Sequence, residues 1–349
     1  METMETGSAR GRLDPTRIPA AYWAVGAALI LIPAVASDFV MVQIFARTFI
    51  FGMIALSLMF VGGYGGMVSL AQLAVAGVAA YMTAILGASA IGTISLGWPW
   101  WLHIPAAILI ATLFGTLTGA LAVRTAGIYT IMITLAIATA FFYFVRQNYV
   151  VFNGFQGFNQ VLPPHLFGVD WRGSIAFYYL CLFWAAFAYL AVLYVARAPF
   201  GLALQGVRDN PRRMAALGFN VTAHRVAAYA FASVIAAVAG ILMVWLSGTI
   251  SPGAVAVGPA IDILVIAVVG GLRHPIGPFI GALIYVLLRT FALDVLTASG
   301  LDPHRFQLLI GLGFLAIVFW SSDGVLGLWE RWRHHSQRTD PLTGRTREP

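Results

Sequence analysis

Leu202–Asn220 reads "LALQGVRDNPRRMAALGFN" and places Arg208, Asp209, Arg212 and Arg213 within six residues, between two long apolar runs. The chain is 349 residues long, 60% hydrophobic and only 9% charged, so such a cluster marks a place where it leaves an apolar medium. Soluble domains carry about 25% charged residues, and a surface this poor in charge does not suit water. The runs on either side are too long for barrel strands of about 10 residues, which points to helices in a bilayer.

Working outward from this stretch, ten apolar segments appear at roughly 18–36, 39–61, 70–88, 102–122, 127–145, 174–196, 225–248, 259–272, 276–293 and 306–320. The third, eighth, ninth and tenth are short or interrupted by glycine. All 20 basic residues are Arg, and the formal net charge is +7. Placing the 197–225 loop in the cytoplasm, with Arg197, Arg208, Arg212, Arg213 and Arg225, puts Arg10, Arg12, Arg17, Arg124, Arg273 and the tail arginines on the same side. That is the positive-inside pattern, and it gives both termini a cytoplasmic location. The expected fold is therefore an all-α polytopic membrane protein of about ten spans. It has a 1–17 tail, a permease domain over 18–320, an outer loop at 146–173, a cytoplasmic loop at 197–225 and a 321–349 tail. Trp98, Trp100, Trp101 and Trp171 fall at the outer boundaries and Trp329 and Trp332 at the inner one, as in an interfacial belt. The "AVA" at 34–36 after a basic start has the form of a cleavage site, but the 19-residue run before it exceeds a usual signal core and favours a retained span.

Several function classes are excluded. The arginines sit between and after spans, where lipid topology and not nucleic acid explains them. With no Lys to reach the nucleotide phosphates, the chain is not expected to be a P-loop ATPase itself. The single Cys181 allows no intrachain disulfide and no multi-cysteine metal site. No HExxH and no GxSxG elbow is present, and no enzyme or bound cofactor or metal is expected.

Two glycine clusters carry the expected pathway. "GGYGGMVSLAQLAVAG" (Gly62–Gly77) contains Gly65, Gly66, Ser69 and Gln72; "SGTISPGAVAVGPAIDILVIAVVGGLRHPIGPFIGA" (Ser247–Ala282) contains Asp262, Gly270 and Gly271. Broken helices at membrane depth occur where they are buried in protein or line a cavity, and their recurrence in two halves of a transporter points to the substrate path. Tight helix packing through small residues accounts for the same glycines. Charges inside spans are few: Arg47, Asp262 and Arg289. Asp262 suits either a pathway role or a helix start, and snorkelling accounts for Arg289.

Within the opening stretch, Asn210 is placed as an N-cap, Pro211 as the first helical residue and Gly218 just past the end. The result is a helix of about two turns, roughly 10 Å long. Met214 and Leu217 share one face of it, and Arg212 and Arg213 lie elsewhere. This describes a docking element for a cytoplasmic partner and equally an amphipathic connector on an anionic leaflet.

"FGLALQGVRDNPRRMAALGFNVTAHRVAAYAFASVIAAVAGIL" (Phe200–Leu242) resembles the cytoplasmic loop and following span of the bacterial branched-chain amino acid ABC transporter permeases, above all the LivM-type subunits. "GYGGMVSLAQLAVAGVAAYMTAIL" (Gly63–Leu86) and "ISPGAVAVGPAIDILVIAVVGGLRHPIGPFIGALIYVLL" (Ile250–Leu288) resemble the family's early and late glycine-rich segments. The resemblance spans about residues 40–320. It implies an inner-membrane importer subunit working by alternating access with a LivH-like second permease, two separate ATPases and an extracytoplasmic binding protein. It also implies that Arg208, Asp209, Asn210, Pro211, Arg212, Arg213, Met214, Leu217 and Gly218 form the contact with the ATPase. Met67 stands where the family usually has Gln, Ala71 where it usually has Gly, and Arg273–His274–Pro275 where it has a smaller turn. Relatives carry urea, short amides or aromatic acids, so a urea- or amide-type permease is one alternative; an ion-coupled secondary transporter, with Asp262 as its lone ion ligand, is another.

Overall fold

The computed structural model describes residues 26, 29–34, 36–92, 94–125, 127–164, 171–272 and 274–298, without the side chains of 292–298. Most of the first expected segment, the whole of the tenth, both tails and Arg273 lie outside these residues.

Among the described residues five helices are long and apolar enough to cross a membrane: α1 (Val40–Tyr64), α3 (Trp100–Ala122), α4 (Ile128–Gln147), α5 (Ser174–Arg197) and α8 (Val221–Ser247). Three shorter apolar helices match the interrupted segments: α2 (Gln72–Leu86), α9 (Val257–Gly270) and α10 (Gly277–Ala298). Two further helices, α6 (Pro199–Asp209) and α7 (Pro211–Ala216), occupy the arginine-rich loop. That loop is thus helical almost throughout, and α8 begins at Val221, four residues before the expected 225. Asn220 caps it, its side chain accepting from the Ala223 amide at 3.0 Å.

Burial separates a centre from a rim. The apolar stretches of α1 and α8 are 83% and 67% buried, against 28% for those of α3, α4 and α5. A helix that is apolar all round belongs in the interior, and α1 fits that description. α3 shows how a rim helix finds its orientation. Its small residues Ala107, Ala111, Gly115, Gly119 and Ala122 recur at helical spacing and are buried, while Leu109, Leu113, Leu117 and Leu121 form the exposed stripe. Small residues let backbones approach where lipid offers no hydrophobic drive between helices. Here a Cβ at Gly119 would strike the Tyr229 ring on α8.

Among the described residues the all-α expectation is departed from at one place. β1 (Phe158–Asn159) pairs antiparallel with β2 (Thr249–Ile250), joining the 146–173 loop to the chain leaving α8. The loop folds inward around this pair. Phe152 and Phe158 are buried and meet the Tyr81 ring edge-on at 5.5 and 6.3 Å. Phe155 and Tyr149 remain exposed.

Candidate functional site

The first glycine cluster breaks the chain between α1 and α2. The ends of α1, Val40–Ala46 and Phe60–Tyr64, are π-helical, so the helix loosens before it stops. Gly66 then takes φ +70°, which suits glycine because it has no Cβ. Backbone groups freed in a span must find partners within the protein. The amides of Gly65, Gly66 and Met67 donate to the Phe60, Gly62 and Val61 carbonyls at 3.3, 3.1 and 3.1 Å. The Leu70 amide donates to Thr134 Oγ1 at 3.2 Å and the Ala71 amide to Ser69 Oγ at 3.3 Å. Ser69 and Gln72 are buried, and Ser57 Oγ donates to Gln72 Oε1 at 3.4 Å.

The second cluster turns α9 into α10. Gly271 takes φ +107°, and α10 folds back so closely that a Cβ at Gly270 would overlap the Gly277 carbonyl and one at Gly281 the Ile266 carbonyl. The two breaks also meet: a Cβ at Gly63 would overlap the Leu272 carbonyl. Gly63, Gly270, Gly277 and Gly281 are therefore places of backbone contact.

Arg208 ties this junction to the polar loop. Arg208 Nη1 donates to the Gly63 carbonyl at 2.6 Å, its stem lies against Gly66, and Nε donates to Asp209 Oδ1 at 2.8 Å. The ion pair with Asp209 is exposed and contributes little. The bond to Gly63 connects residues 145 apart in sequence. Asn210 caps α7 by accepting from the Arg213 amide at 3.0 Å, and Gly218 follows with φ +89°, the ends read from the sequence. The expected pairing of Met214 with Leu217 on one free face does not hold. Met214 turns back on α6, where its sulfur would sit 2.9 Å from a Cβ at Gly206, and leaves Leu217 as the exposed apolar knob, 67% accessible. Arg212 and Arg213 are exposed beside it. The stacked ring of Phe200 at 5.8 Å and the edge of Phe219 at 5.7 Å hold His224, fastening both ends of this segment to the base of α8.

At the opposite end of the bundle, beside β2, lies a cavity of about 370 Å³ between α1, α2, α8, α9 and α10. This is within the size range of small-molecule sites. Its walls include Ile50, Phe51, Leu73, Leu246, Ile263 and Ile266, and its charges are Arg47, Asp262 and Arg289. Tyr285 Oη donates to Asp262 Oδ2 at 2.8 Å, and Arg289 lies one turn further along α10. Among the described residues neither arginine comes within 4.0 Å of Asp262 as an ion pair. Arginine inside a span costs about 2.5–3.5 kcal/mol on insertion scales and faces an interior or a water-filled space. Of the expected pathway residues, Asp262 lines this cavity, while Gly65, Gly66, Ser69, Gln72, Gly270 and Gly271 do not. Tyr285 was not singled out by the sequence reading, because its meeting with Asp262 depends on the α9–α10 turn. Among the described residues no group of three or more His, Cys, Asp or Glu is placed to hold a metal.

Residues 40–318 match the family model described as branched-chain amino acid transport system / permease component. The chain is 24% identical to the high-affinity branched-chain amino acid transport system permease protein LivM of Salmonella typhimurium and 23% identical to that of Escherichia coli, each over 85% of this chain and 73% of the relative. A probable LivM of Methanocaldococcus jannaschii is 24% identical over 64% of this chain and 63% of its own length. No solved structure gives a match. The apolar helices, the two glycine breaks and the family match over most of its length agree: the chain is a multi-pass membrane protein that belongs to the permease components of branched-chain amino acid transport systems.

Proposed function

We propose that the chain is one permease subunit of an ATP-driven importer of branched-chain amino acids in a bacterial inner membrane. It works by alternating access, beside a LivH-like second permease, two ATPase subunits that bind the ATP, and an extracytoplasmic binding protein. Its ten spans leave both termini in the cytoplasm, with α6 and α7 on that side and the β1–β2 pair outside. The observation that carries this reading is the Arg208 bond to Gly63. The end of α6, which leads through Asn210 into the helix offered to the ATPase, is held to the point where two broken helices meet, so movement of α7 passed on through α6 bears on the junction that a gate needs to shift. ATP binding shifts the inward- and outward-open states only by its differential affinity for them.

The relatives' names supply the substrate class, and the charges of the outer cavity, Arg47, Asp262 and Arg289, suit a charged or zwitterionic solute better than neutral urea or an amide. The test is reconstitution of the chain with its neighbouring permease, ATPase and binding-protein gene products in vesicles. Leucine uptake is expected to require ATP, and leucine with binding protein is expected to stimulate hydrolysis. Uptake that runs on an ion gradient without the ATPases overturns the reading.

A further inference from the structure

We propose that the Arg47–Asp262–Arg289 cavity is a two-point recognition station for an α-amino acid in transit, the two arginines holding its carboxylate and the free oxygen of Asp262 its ammonium. The inference rests on the permease reading for its place in the cycle. Its chemistry stands on the cavity itself.

The three charged groups come from three helices, α1, α9 and α10, which only the turn at Gly271 and the packing of α10 on α1 bring to one space. Arg47 and Arg289 are exposed to it and form no ion pair with Asp262. Two cations against one carboxylate leave a net positive site, which an added carboxylate neutralises. Guanidinium groups suit this role through their planar, bidentate donor geometry. Asp262 is half-buried and oriented by Tyr285, which occupies Oδ2 and leaves Oδ1 for a donor. Much of the remaining wall is aliphatic and aromatic, Ile50, Phe51, Leu73, Leu246, Ile263 and Ile266, and receives an apolar side chain, with Ser247 and Thr249 as its uncharged polar members. A neutral amide can hydrogen-bond at either pole but brings no charge to it, and an alkylamine meets two repelling cations. Thr249 and Ile250 of β2 border the cavity, so the β1–β2 pair lies at its rim.

The test uses the complex of permeases and ATPases, without binding protein and without ATP, and measures binding of leucine, 4-methylpentanoate (no ammonium) and 3-methylbutylamine (no carboxylate) by calorimetry. Wild type is expected to prefer leucine and to ignore the amine. Asp262→Asn is expected to weaken leucine roughly tenfold or more, the loss of one charged hydrogen bond, while 4-methylpentanoate binds no more weakly, since a negative charge has left its surroundings. Arg47→Gln is expected to weaken both carboxylates, with Arg47→Lys restoring part of the loss. Maleimide protection of the buried Cys181 separates these effects from misfolding. Equal binding of all three ligands, or a leucine affinity unmoved by Asp262→Asn in a protected protein, overturns the station. ATP-driven leucine uptake with that unmoved affinity keeps the permease reading while removing the site. A ligand preference that follows these variants in a complex without ATP-driven uptake keeps the site and removes the permease reading.

Discussion

A methyl group added at Gly270 has nowhere to go, because the space is filled by the Gly277 carbonyl of the returning helix. Backbone cannot rotate away as a side chain can, so Gly270→Ala forces α9 and α10 apart. A loss of about 1–3 kcal/mol or more is expected, the usual range for overpacking. At Gly258, the second residue of α9, no atom lies within 4 Å of an added Cβ and φ is ordinary. Gly258→Ala is expected to stabilise by about 0.5–1 kcal/mol through reduced unfolded-state entropy. Thermal midpoints in detergent check both, and the opposite signs matter more than the sizes. The glycine-rich sequence announces both positions equally. Whether a glycine meets a neighbour depends on a segment several residues away folding back on it, and spacing along the chain carries no such information.

At the scale of elements, the α6–α7 segment divides into a part that packs and a part that is offered. Leu217 is the offered apolar group, so Leu217→Asp is expected to abolish co-purification of the ATPase while the permease still folds. Met214→Asp removes packing on α6 and is expected to lower the thermal midpoint as well, so the two variants differ in more than docking. Arg208→Gln removes the charged donor to Gly63 and leaves the caps of α7 intact. Retained ATPase binding with hydrolysis no longer productive of uptake is expected, read as a fall in leucine transported per ATP; an unchanged ratio removes Arg208 from the transmission path. The caps of α7 were legible because Asn210, Pro211 and Gly218 act within a few residues of one another. The helix Pro199–Asp209 is not legible from the sequence, because a proline that ends one apolar run can equally be the first residue of a new helix.

For the whole molecule, Cys181 provides a single internal reporter. It lies at 0% exposure against the α1 core, and the chain contains no other cysteine. A fluorescent maleimide is expected to label the native protein negligibly in detergent and to label it fully as the bundle opens, along the same thermal curve as the loss of helical signal. Labelling well below that transition would indicate that α5 leaves the core separately. The membrane class, the positions of the long spans, the two breaks and the capped polar helix follow from composition and short-range patterns, because hydropathy, charge bias and capping operate locally. The assignment of α1 and α8 to the centre, the meeting of Gly63 with Leu272, the inward turn of Met214 and the gathering of Arg47, Asp262, Tyr285 and Arg289 around one cavity do not. Nearly every helix here is apolar on all faces, so periodicity hardly distinguishes a buried face from a lipid-facing one. Close packing between segments distant in sequence makes that choice, and it exists only in the folded bundle.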